Sequence, residues 1–142
     1  MKKYKVGYTQ GVFDMFHVGH LNLLNNAKAQ CEILIVGVNS DELVKQYKSK
    51  TPVIPQEQRR LIVENIKAVD KAVIVETLDK TVQLQNFGFD AVFIGSDWKG
   101  NDRWEKTKEE LSLLGVDVIF LPYTDGICST ELAEKEHKRV DE

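Results

Sequence analysis

The 142-residue chain has little of what marks small or unusual proteins: two cysteines, three prolines, two tryptophans and three histidines. Two cysteines exclude a disulfide-dense scaffold. Cys31 and Cys128 form no CxxC pair, so both are expected as free thiols of a reducing compartment. Three prolines and nine glycines exclude collagen-like and low-complexity chains. Long apolar runs are missing as well. A stretch such as Ile33–Val38 falls far short of the roughly 20 residues that a bilayer requires. The opening "MKKYKVGYTQ" lacks the apolar core of a signal peptide, so a cytoplasmic location is expected. Excess positive charge is also lacking. A net charge of -3 and a pI near 5.7 exclude a broad basic footprint for nucleic acid. Neither nucleic acid nor membrane is expected as a partner, and an anionic ligand must be met by local groups.

What is present is an ordinary globular composition, 29% charged and 42% apolar. A chain of this length buries roughly two-thirds of its unfolded surface, and no repeat or Gly/Pro/Ser-rich linker divides it. Residues 1–142 therefore read as one domain. β-rich runs recur at 5–9, 32–38, 71–75, 90–95 and 116–121, separated by segments of helical spacing. The runs are almost wholly apolar rather than alternating, as when helices cover both faces of a parallel sheet. The expected fold is α/β, a doubly wound five-stranded parallel sheet. Leu21, Leu24 and Ala27 mark the buried stripe of one helix, and Leu61, Ile62, Asn65, Ile66 and Val69 that of another. Between them, "YKSKTPVIPQEQRR" (47–60) carries Pro52 and Pro55, which break any continuous helix, and Lys48, Lys50, Arg59 and Arg60. It reads as a mobile basic loop entering a helix.

In an open parallel sheet, ligands gather outside the carboxyl ends of the strands where the strand order reverses. Three segments follow strands there: "TQGVFDMFHVGH" from Thr9, "GSDWKG" from Gly95 and "PYTDGICST" from Pro122. Gly11 and Gly19 allow close backbone approach, and a helix start beside His17 and His20 offers unpaired N–H groups to an anion. Each piece alone has a plainer reading. The histidines can be a helix cap, a packed pair, a catalytic pair or metal ligands, although no third ligand is evident. "GSDWKG" alone is a surface turn, "TDGICST" a helix cap, and the lysines solvated charge. Their common position at the strand ends favours a phosphate-binding site.

"GVFDMFHVGHLNLL" resembles the HxGH signature of the nucleotidyltransferase superfamily in its cytidylyltransferase form. The likeness continues through "VNSDEL", "KTPVIPQEQRRLIVENIKAVDKAV", "VFIGSDWKG" and "LPYTDGICSTEL", nearest to the glycerol-3-phosphate cytidylyltransferase family. It implies a Rossmann-like nucleotidyltransferase fold and in-line attack of a phosphate monoester on the α-phosphorus of CTP. Ribitol 5-phosphate, phosphoethanolamine and phosphocholine are alternative acceptors, and a non-catalytic nucleotide-binding module is the reading from another class. The resemblance further implies Mg carried by the triphosphate, no protein metal site, a homodimer, and a role in cell-envelope or capsule synthesis. His17, His20, Lys50 and Arg59 take the catalytic positions. Thr9, Gly11, Phe13, Gly19, Asp41, Gly95, Asp97, Tyr123, Thr124, Gly126, Ile127, Ser129 and Thr130 match nucleotide-binding positions. Asp14, Lys50, Lys67 and Trp98 match the acceptor side. Three residues depart from the family pattern. Tyr123 stands in place of an arginine and so loses a bidentate phosphate contact, Cys128 replaces a serine, and Lys67 replaces an arginine.

Overall fold

The structure, a computed structural model, describes residues 2–96 and 100–122. The chain runs β1 (Tyr4–Gly11), α1 (Val18–Lys28), β2 (Cys31–Asn39), α2 (Asp41–Lys48), α3 (Gln56–Glu64), β3 (Lys71–Val75), α4 (Lys80–Phe87), β4 (Ala91–Gly95), α5 (Asp102–Leu113) and β5 (Asp117–Leu121). The five strands form one parallel sheet in the order β3-β2-β1-β4-β5. The chain moves outward from β1 to β3 and then returns to β4, so the order reverses between β1 and β4. A ligand crevice belongs at their carboxyl ends. The expected strands and the α/β class are both observed.

Alternate strand residues feed opposite faces. Leu34, Val36, Val38, Ala91 and Phe93 join Leu24, Ala27 and Val63 in one core. Tyr8, Ile35, Val92 and Val118 join Phe89, Trp104 and Leu111 in the other. Cys31 lies in the first core as a free buried thiol, and burial pushes its pKa up. Three of the helices start on polar side-chain caps: Ser40 for α2, Asp79 for α4 and Asn101 for α5 each accept a backbone N–H.

The face expected for α3 is corrected. Leu61 and Ile62 are exposed, while Arg59 and Val63 are the buried residues of α3, which ends at its C-cap Asn65. Ile66 and Val69 pack against the first core from the turn beyond it. The arginine displaces the leucines because its guanidinium finds a full set of acceptors inside, as described below.

Two close approaches fix the packing around β1. A Cβ on Gly37 would stand 2.2 Å from the Tyr8 hydroxyl oxygen, and one on Gly7 would stand 2.5 Å from the Phe93 ring. Tyr8 cannot yield, because it is fully buried and stacked on Phe87 and Phe89 with centroids 5.6 and 4.7 Å away. Gly37→Ala is therefore expected to cost about 1–3 kcal/mol through overpacking, read as a lower urea midpoint with an unchanged slope.

Asp70 ties α1 to the sheet by accepting from Lys28 Nζ and the Leu34 N–H. Burial works against its charged form, but these donors outweigh it and hold the carboxyl below its ordinary value. A depressed carboxylate contributes stability above its unfolded pKa and loses it as pH falls through the folded one. Asp70→Asn should thus destabilise the protein at pH 7, and the gap to wild type should close as pH drops below about 4 in urea titrations.

Candidate active site

The site begins where β1 leaves the sheet. Thr9, at the core of the strand end, donates through Oγ1 to the Phe93 carbonyl at 2.8 Å, locking β1 to β4 across the switch point. The β1–β4 register, with Gly7 opposite Ala91 and Tyr8 opposite Val92, sets Gly11 level with Gly95. Between Gly11 and α1 the backbone turns through two non-glycine residues at positive φ, Phe13 at 54° and Met15 at 50°. Such conformations cost on the order of 1 kcal/mol each and persist where the surroundings impose them. Phe13 is buried, with its ring against Phe16 and His20.

His17 is the N-cap of α1. Its Nδ1 accepts the Gly19 N–H at 3.0 Å, and the His17 N–H donates to His20 Nδ1 at 3.2 Å. The pair is thus a capping box in which imidazoles replace the usual hydroxyl and carboxylate. An Nδ1 that accepts a backbone N–H carries no proton, so each ring in this arrangement is the neutral tautomer with its proton on Nε2. The rings lie 4.0 Å apart between centroids, and His20 packs on Phe13 and Phe16 at 5.5 and 5.2 Å. Cap and catalytic pair, separate readings from sequence, are compatible in one geometry: Nδ1 serves the helix and Nε2–H is the donor edge.

A second cluster stands beside the first. The Arg59 side chain is fully buried and makes four hydrogen bonds: Nε to the Ile54 carbonyl, Nη1 to the Val12 and Asn39 carbonyls, and Nη2 to Asp41. The first three are 2.8 Å long and the ion pair 2.6 Å. Asp41 completes a reciprocal link, since its N–H donates to Gln56 Oε1 while its Oδ2 accepts the Gln56 N–H. Asp14 accepts from the Val53 and Ile54 N–H groups at 2.8 and 2.9 Å. Lys50 is exposed on the segment between α2 and α3.

The structure thus brings together Thr9, Gly11, Phe13, Asp14, His17, Gly19 and His20, with Asp41 and Arg59 joined through the Val12–Ile54 network and Gly95 across the crevice. It does not bring Lys67 to them. That residue is exposed in the turn before β3, at the amino edge of the sheet. Asp97, Trp98, Tyr123, Thr124, Gly126, Ile127, Cys128, Ser129 and Thr130 lie outside the described residues.

Sequence reasoning missed a polar ladder behind the site. Gln10 Nε2 donates to Asn39 Oδ1 and to the Thr77 carbonyl, and Asn39 Nδ2 donates to the Tyr47 hydroxyl. Gln10 and Asn39 are buried at the carboxyl ends of apolar runs, and that placement was the available signal. Among the described residues no three His, Cys, Asp or Glu side chains cluster as metal ligands. A divalent ion held by triphosphate oxygens needs no such cluster. No helix among them is long and apolar enough to cross a membrane.

Solved structures with this architecture include a lipopolysaccharide core biosynthesis protein from Thermoplasma volcanium. It has a TM-score of 0.71 and 23% identity, covering 85% of this chain and 97% of that one. A pantoate-beta-alanine ligase from Francisella tularensis follows at 0.62 and 14%, covering 96% and 67%. These establish the fold. In sequence, a glycerol-3-phosphate cytidylyltransferase of Bacillus spizizenii is 38% identical over 127 residues, 87% of this chain and 91% of that protein. The bifunctional protein HldE of Cronobacter sakazakii is 36% identical over 135 residues, 94% of this chain but 28% of that protein. Together the fold and these relatives define the class, an enzyme of nucleotidyl transfer. The Cytidylyltransferase-like family model matches residues 8–135, and the chain belongs to that family.

The cap geometry yields a test free of activity. His17→Ala removes the acceptor for the Gly19 N–H and should cost about 1 kcal/mol, whereas His17→Asn, a good N-cap, should restore wild-type stability in urea denaturation.

Proposed function

We propose that the chain transfers CMP from CTP to a small phosphorylated alcohol, glycerol 3-phosphate, giving CDP-glycerol and pyrophosphate. The observation that carries the transfer chemistry is the imidazole pair, with both Nδ1 atoms held by backbone N–H groups at the entrance of α1. The choice of acceptor is supported by the 38% identity to a glycerol-3-phosphate cytidylyltransferase across 91% of its length.

An acceptor phosphate oxygen attacks the α-phosphorus, the new P–O bond forms opposite the leaving group, and the bond to the β-phosphate oxygen breaks to release pyrophosphate. No protein nucleophile takes part. The protein's task is to align two anions and to meet the charge that builds on the transferring and leaving oxygens. Nε2–H of His17 and His20 donates to α- and β-phosphate oxygens. Each such bond, preorganised by its Nδ1 anchor, is worth about 2–4 kcal/mol in the transition state. Lys50 meets the incoming phosphate. Gly11, Gly19 and Gly95 let the backbone approach the nucleotide, and Thr9 and Phe13 shape its floor. Asp41 and Arg59 support this wall, while Asp97, Trp98, Tyr123, Thr124, Gly126, Ile127, Ser129 and Thr130 complete the nucleotide and acceptor contacts. Mg would be carried by the triphosphate rather than by a protein site and would offset its charge. The enzyme works in the cytoplasm as a homodimer and supplies an activated alcohol for envelope or capsule polymers.

The test is pyrophosphate release from CTP and Mg with a panel of phosphate monoesters that includes glycerol 3-phosphate, ribitol 5-phosphate, phosphoethanolamine and phosphocholine. Release is expected to be fastest with glycerol 3-phosphate; silence across the panel would overturn the reading. His17→Asn keeps the cap but not the Nε2–H donor, so turnover should fall about 100-fold in a protein of unchanged stability.

A further inference from the structure

We propose that Asp14 is a positioning residue: it anchors the basic segment between α2 and α3, and through that anchor it sets where Lys50 meets substrate. The second half rests on the transfer function proposed above; the first does not.

Each Asp14 oxygen accepts a backbone N–H from a residue about 40 positions away in sequence, Oδ2 from Val53 and Oδ1 from Ile54. Consecutive N–H groups converging on one carboxylate form charge-assisted bonds, the stronger kind. The same peptide is held from its other end, because the Ile54 carbonyl accepts from Arg59 Nε and Arg59 Nη1 donates to Val12. Val12 and Asp14 belong to one loop, so the contacts close a ring: β1 exit, Asp14, Ile54, Arg59, β1 exit. Phe13 and Met15, on both sides of Asp14, hold positive φ, a conformation that persists where the surroundings impose it.

Apart from the Arg59 bond to the Ile54 carbonyl, the segment lies largely at the surface. Ser49 closes α2 in the left-handed conformation, and residues 49–51, 53 and 55 are exposed. Lys50 lies three residues before Val53, so its backbone is confined to within about 11 Å of the pinned Val53 amide. Asp14 is itself three residues from His17. A carboxylate whose two oxygens each accept an amide N–H opposes an incoming phosphate less than a free one, and both oxygens are turned on the segment rather than on an acceptor.

The experiment compares substrate-free wild type with Asp14→Asn by amide hydrogen exchange and by trypsin cleavage after Lys48 and Lys50. A carboxamide accepts one N–H but presents its own N–H₂ to the other. Exchange at Val53 and Ile54 should rise about 10-fold and cleavage several-fold, while Val36 and Val38 in β2 keep their wild-type exchange. Unchanged exchange and cleavage without substrate would overturn the anchor. If Asp14→Asn loosens β2 as well, Asp14→Glu, which keeps both oxygens one methylene farther out, is read by the same criterion. For the link to Lys50, turnover of the Asp14→Asn/Lys50→Ala double variant should equal that of Lys50→Ala; multiplied losses would overturn it. Because the exchange experiment needs no turnover, failure of the anchor and failure of the transfer reading are separable.

Discussion

A charged guanidinium with no exposure to solvent governs this molecule. Arg59 can stay inside only because three carbonyls and a carboxylate surround it, and those acceptors come from four separate places: Val12 after β1, Asn39 at the end of β2, Ile54 in the segment before α3, and Asp41 at the start of α2. Removing one partner would leave buried charge uncompensated, which costs several kcal/mol. The one guanidinium therefore ties four segments together. Lysine could not replace the arginine, since its three donors diverge from one nitrogen while the guanidinium spreads its donors over a planar fork. The Asp41–Gln56 pair repeats the constraint at smaller scale by joining the starts of α2 and α3.

The histidine pair depends on the same rigidity. Its Nδ1 anchors are backbone N–H groups at the entrance of α1, and the loop that delivers them leaves β1 at Val12, the carbonyl that Arg59 holds. Orientation thus passes from the buried cation to the strand end, through two strained residues, to the helix start. The Nε2 edges of the imidazoles are thereby fixed by the backbone, the preorganisation that the transfer proposed above requires.

The strands were legible in the sequence because a sheet covered on both faces requires nearly continuous apolar runs, and the five runs stand where the strands are. The position of His17 and His20 was legible for the same reason: it follows from the end of the first run. Their tautomers were not, since these depend on which backbone N–H each Nδ1 meets. The face of α3 was misread because hydrophobicity was weighed residue by residue. Leu61 and Ile62 are more apolar than Arg59, yet Arg59 is the residue inside, since acceptors from distant segments converge on it. No local pattern encodes that convergence. Asp14 and Asp41 were named from the resemblance, but the amides and the guanidinium they meet were not legible, since a sequence shows a carboxylate and not its partners.

Those two carboxylates bear on how a chain with a net charge of -3 accommodates anions. At an effective dielectric constant near 20, a unit charge 4 Å from another of like sign costs about 4 kcal/mol, comparable to what one imidazole donor contributes. An acidic residue left free at the strand ends would cancel the benefit of a histidine. Asp14 instead accepts from two amides, and Asp41 from an arginine and an amide, so their charge is met within the protein. The Asp14 contacts also hold the segment that carries Lys50, so the groups that meet these negative charges tie the basic segment to the strand ends as well. Local pairing, rather than net charge, decides which sign the site presents.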